Sequence, residues 1–159
     1  MPEAAKVLKR MRSDIKKYGW HIVSVVSEVG TEWKPPFAYT IGLSIDRKIP
    51  ELAIFGLPPE ISSIILRSVR EAIDSGLRIV KDKAIPDILE NGFVIRVGGY
   101  SRKEHFDEYF GAAQQYFNGT GFRVAVLLWP DASGRINSDG GDSNVQFEAF
   151  ELIGRKTFP

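Results

Sequence analysis

Glu51 stands directly after Pro50 at the head of the apolar run ELAIFGL, and Asp131 follows Trp129-Pro130 at the tail of another, GFRVAVLLW. A carboxylate placed against an apolar strand is either a turn-former or a site residue. Asp131 lies in Pro-Asp-x-x-Gly, and turn chemistry accounts for it there. Glu51 has no such local explanation. Either carboxylate could serve as a general base, which a hydrolase would need. Thr40 offers a hydroxyl within FAYTIGL. His21, beside Trp20, is a candidate acid or base, and a hydrogen-bonded structural histidine is the alternative. The candidate ligand pocket is Thr40, Glu51, Trp129 and Asp131, with His21 as an outside member.

Other chemistry finds little support. The chain carries no Gly-x-Ser-x-Gly elbow, no phosphate-binding P-loop, no His-Glu-x-x-His and no dinucleotide glycine fingerprint. A metal centre would need His21 and His105 brought together with carboxylates, and nothing in their spacing demands it. His105, among Glu104, Asp107 and Glu108, reads as a surface residue. The stretch NSDGGDSN holds Asp139 and Asp142 but lacks the spacing and terminal Glu of a calcium loop. Gly98-Gly99 before a helix could receive an anion, although a turn explains it as well. No metal is expected, and no cofactor is named by these residues.

The elements that must position the candidates follow from periodicity. In FAYTIGL, residues 37–43, side chains alternate between two faces. Phe37, Tyr39, Ile41 and Leu43 make a bulky face, and Ala38, Thr40 and Gly42 a nearly bare one. Something must approach the bare face closely: a packed helix, a sheet bend at Gly42, or a ligand. Helical spacing predicts helices over 3–18, 59–75 and 102–117, the last opened by a Ser101–Glu104 capping box. Strands are predicted over 20–29, 37–43, 51–57, 93–98, 121–129 and 145–152, with a short one at 77–80. Residues 130–144 read as a polar loop and 153–159 as a loose tail. The pattern is not a regular βαβα alternation. It predicts a single α+β domain over residues 1–159: a mainly antiparallel sheet that could curl towards a barrel, flanked by about three helices.

Composition sets outer limits. The 159 residues are 43% hydrophobic and 26% charged, with a formal net charge of +1 and no cysteine. Disulfides and thiolate chemistry are excluded, and a cytoplasmic protein is expected. The N-terminal segment has no apolar core of a signal peptide, and no run approaches the roughly 20 apolar residues of a membrane span. The near-zero charge gives no reason to expect a specific nucleic-acid partner. Locally, however, Lys6, Lys9, Arg10, Arg12, Lys16 and Lys17 outnumber the acids of the first helix. That is a solvated face, or a patch for phosphate or an acidic partner.

Four pieces in order, YGW at 18–20, FAYTIGL, PEL at 50–52 with FGLP after it, and WPDASG at 129–134, resemble the bacterial domain of unknown function 4262 family. The likeness covers roughly residues 14–135. It implies a compact bacterial cytoplasmic domain, and it supplies no activity and no catalytic residues. It also implies a histidine just before PEL, where this chain has Ile49. Three functions compete: a small-molecule or nucleotide-binding module, which the residues favour; a hydrolase using Glu51 or Asp131; and a protein-interaction module using the basic first helix or the aromatic third. A monomer or homodimer is expected.

Overall fold

The computed structural model describes residues 2–136 and 145–155. Asp139 and Asp142 of the expected polar loop, and most of the expected tail, lie outside the described residues. Strands β1 (His21–Val25), β2 (Phe37–Ile41), β3 (Glu51–Phe55), β4 (Ala84–Ile85), β5 (Ile95–Tyr100) and β6 (Val124–Leu128) form one sheet in the order β1-β2-β3-β6-β5-β4. Every neighbouring pair is antiparallel except β3 and β6, which run parallel. The sheet is mostly antiparallel, as expected. It ends at β1 and β4 and does not close into a barrel.

Six α-helices are described rather than about three: α1 (Pro2–Tyr18), α2 (Leu43–Asp46), α3 (Pro59–Asp74), α4 (Phe106–Tyr109), α5 (Gly111–Phe117) and α6 (Phe147–Ile153). Every residue of β2, β3 and β6 is buried, because helices cover both faces of the central strands. On one face Tyr39, Phe55, Val126 and Leu128 pack with Met11, Phe106, Phe110 and Phe150. On the other, Ala38, Ile54 and Leu127 pack with Ile65, Leu66 and Val69 of α3. The result is three layers, with the sheet in the middle.

Several expectations need correction. Residues 145–152 are not a strand. The run VQFEAFEL alternates, but its buried residues Ala149, Phe150 and Leu152 follow helical spacing, and Phe147 is 49% exposed. Residues 77–80 form no strand, while Ala84–Ile85 pair with β5. The third helix is broken. A 3-10 turn at Lys103–His105 leads into α4, and Phe110 leaves helical geometry (φ −120, ψ 38) before Gly111 starts α5. No capping box forms: the Ser101 hydroxyl donates to the Arg102 carbonyl instead. In α3 the buried stripe is Ile65, Leu66 and Val69, with Ile61 and Ile64 turned to solvent.

The bare face of FAYTIGL has two answers. Ala38 packs in the α3 layer. Gly42 lies against main chain: a Cβ built on it would sit 2.6 Å from the Gly19 carbonyl oxygen and 2.9 Å from the Trp20 Cα. Gly42 has φ +123, which turns the chain out of β2 and into α2. Leu43 therefore leaves the bulky face on which alternation had placed it and joins the α3 layer.

Candidate functional site

Glu51 opens β3 beside the end of β2, and its carboxylate is fully buried. Oε1 accepts from the Thr40 hydroxyl at 2.8 Å and the Leu43 amide at 3.1 Å. Oε2 accepts from the amides of Gly42 and Ser44 at 3.1 and 3.0 Å, and from the Ser44 hydroxyl at 2.6 Å. The turn at Gly42 aims consecutive amides at one point, a concavity suited to an anion. Glu51 supplies that anion from within the chain. Thr40 is held from both sides, since its oxygen also accepts from the Leu52 amide at 3.0 Å. The structure thus brings Thr40 and Glu51 together, with their polar atoms satisfied by each other and by main chain.

Trp129 and Asp131 belong elsewhere. The Trp129 indole donates to the Phe55 carbonyl at 2.7 Å. Phe55 is the far end of β3 from Glu51, about 13 Å away at the usual rise of a strand. Gln146 pins the Trp129 main chain from both sides, accepting from its amide and donating to its carbonyl. Asp131 accepts at Oδ1 from the Ser133 hydroxyl and from the amides of Ser133 and Arg135. Those bonds, the Ser133 hydroxyl first, hold its carboxyl below the usual aspartate range. This is the turn geometry its sequence pattern suggested. The two residues line a cavity of about 360 Å³ with Leu57, Ile61 and Phe93. His21 is in a third place, where its Nδ1 lies 2.9 Å from Asp14 Oδ2. A carboxylate can only accept, so Nδ1 carries the hydrogen in this pairing.

A different carboxylate lines a larger, aromatic cavity. Glu148, on α6, is 4% exposed, and its Oε2 accepts from the Tyr109 hydroxyl at 2.6 Å. Both border a cavity of about 560 Å³ between β1, β2 and the start of α5, beneath the connection that precedes β2. Phe37 and Tyr39 contribute to its wall. Phe37 stands edge-on to Tyr109, with ring centroids 5.6 Å apart. Three acids, Glu32, Glu108 and Glu148, line the cavity against one base, Lys34, whose Nζ is 3.9 Å from Glu108.

Burial raises the Glu148 carboxyl above its ordinary value, and the nearby Glu108 and Glu151 push the same way. The Tyr109 hydroxyl and Lys34 oppose that shift. Burial, then Glu148 itself, raises the Tyr109 phenol. Desolvation also lifts Tyr39, to about 12. A carboxyl raised on folding holds more proton in the native than in the unfolded state. Stability should therefore fall as pH climbs above the ordinary carboxyl value of 4.5. We expect Glu148→Gln, which cannot ionise, to flatten that decline in urea melts between pH 4 and pH 8. Parallel wild-type and variant curves would count against it.

Glu148 lies one turn before buried Leu152 on α6 and so points inward. Among the described residues no group of three or more His, Cys, Asp or Glu side chains comes together as a metal-ligand set. Nor is any described helix long and apolar enough to cross a membrane.

Neither a curated protein nor a solved structure matches the chain. The sequence signature of one family, described as a domain of unknown function (DUF4262), matches residues 14–139. That span runs from Asp14 through all six strands and includes the Glu51 cage and Tyr109, while Glu148 falls beyond it. By the extent of this match, the chain belongs to the DUF4262 family.

Proposed function

We propose that the chain is a small-molecule-binding module, and that the cavity beside Glu148 takes a small organic cation with an apolar body. The observation that carries this reading is a desolvated carboxyl on the wall of an aromatic, acid-rich cavity. Such a wall offers a primary or secondary ammonium two favourable contacts. It can pair with Glu148, and it can lie against the rings of Phe37, Tyr39 or Tyr109. The volume of about 560 Å³ is within the range of small-ligand sites. Three acids against one base disfavour anionic ligands in the same space.

The test is calorimetric titration of three matched probes: phenethylamine, its neutral counterpart phenethyl alcohol, and phenylpropionate. The amine should bind, the alcohol more weakly, and the acid not at all. Glu148→Gln should weaken the amine by about tenfold or more while leaving the alcohol unchanged, as expected when one charged hydrogen bond is lost. Equal binding of amine and alcohol, or no binding of the amine, would overturn the assignment.

A further inference from the structure

A second cavity, of about 740 Å³, opens on the opposite side of β1, between α1, β1 and α3, and its electrostatics are reversed. Arg10 enters it from α1, and Arg67 and Arg70 from α3. The acid on its wall, Asp14, is already engaged by His21. Arg70 is fixed in place. Its guanidinium lies 4.7 Å from the centre of the Trp20 ring and donates to the Tyr18 carbonyl at 3.0 Å. Arg10 and Arg67 take part in none of the ion pairs among the described residues. Tyr18, Ser24 and Ser63 add hydroxyl-bearing side chains to the lining.

We propose that this cleft binds the phosphoryl group of a small phosphate ester. Guanidinium forks match phosphate oxygens in pairs, and several converging on one cleft are the side-chain chemistry that suits such a group. Pre-fixing Arg70 on Trp20 reduces the ordering that binding must impose. The space exceeds that of a phosphate alone, leaving room for the organic body of an ester. Burial first, then the field of Arg47, lowers the Arg70 guanidinium from its ordinary value, and Asp74 opposes that shift. The site is independent of the Glu148 cavity, so either can fail alone.

The experiment titrates the full chain with inorganic phosphate, AMP and adenosine at about 0.15 M salt, where exposed charges are largely screened beyond roughly 8 Å. AMP should bind, phosphate more weakly, and adenosine not measurably. Arg67→Gln and Arg10→Gln, both at exposed positions, should each weaken AMP by about tenfold, one charged contact. Lys9→Gln, exposed on α1 but outside the cleft, should change it by less than about twofold. Equal losses in Lys9→Gln and Arg67→Gln would reduce the effect to general attraction and overturn the site. So would silence towards both phosphate and AMP, or retention on phosphatidylserine vesicles without any response to AMP.

Discussion

Glu51→Ala is expected to lower the unfolding free energy by about 3–5 kcal/mol, the range for removing one partner from a buried charged network. The wild-type carboxylate receives donors from Thr40, Gly42, Leu43 and Ser44. Alanine leaves them without an acceptor. Ser44 is half-buried and can turn to water, but Gly42 and Leu43 are buried and their amides cannot. A buried donor left unpaired costs about 1–3 kcal/mol. Glu51→Gln should fall between, because its amide keeps one oxygen but aims an NH2 group at other donors. Urea melts of the three proteins give the ordering directly. A loss below about 1 kcal/mol for Glu51→Ala would mean that the chain at 42–44 relaxes and the cage is not a structural anchor.

Gly42→Ala should be of similar size, about 2–6 kcal/mol, by two routes that add. At φ +123 an L side chain is strained, at about 1–3 kcal/mol. The new methyl would also meet main chain, the Gly19 carbonyl oxygen at 2.6 Å, and overpacking of this kind costs about 1–3 kcal/mol. That oxygen cannot swing aside as a side-chain tip could, because the Gly19 N–H donates to the Ile15 carbonyl at 2.8 Å and ties the residue to the end of α1. Gly30 separates the two routes. It has φ +90 with nothing within 4 Å of a built Cβ, so Gly30→Ala should show the strain alone. Equal melting midpoints for the two variants would remove the steric argument. Since Gly42 also donates to Glu51, the double variant with Glu51→Ala should cost less than the sum of the singles.

Much of the central sheet could be read from the chain because its strands are short apolar runs bounded by Pro and Gly. FAYTIGL showed its two faces, and Glu51 stood out because no turn explained it. What failed was whatever depends on partners distant in sequence. VQFEAFEL satisfies alternation and helical spacing about equally, and only packing of Phe150 and Leu152 beneath the sheet decides for the helix. Residues 102–117 carry one helical stripe, yet Phe110 leaves helical geometry while its ring remains edge-on to Tyr39 and Phe106. The candidate pocket mixed residues from opposite ends of β3, a separation that strand length implies once the order of strands is known. The arginine cleft gathers α1 and α3, which lie some fifty residues apart, and spacing along the chain carries no trace of it.

The parallel pairing of β3 with β6 also sets a timetable for synthesis. Glu51 pairs with Val124, so β3 waits for more than seventy further residues to leave the ribosome before its second edge is covered. Until then β1, β2 and β3 can form only a three-stranded meander with an open apolar border, the kind of edge on which nascent chains associate. Closing so distant a contact is slow because loop entropy is lost before the contact forms. Chains halted before residue 124 should therefore aggregate or engage chaperones, whereas chains extended past Leu128 should escape both fates.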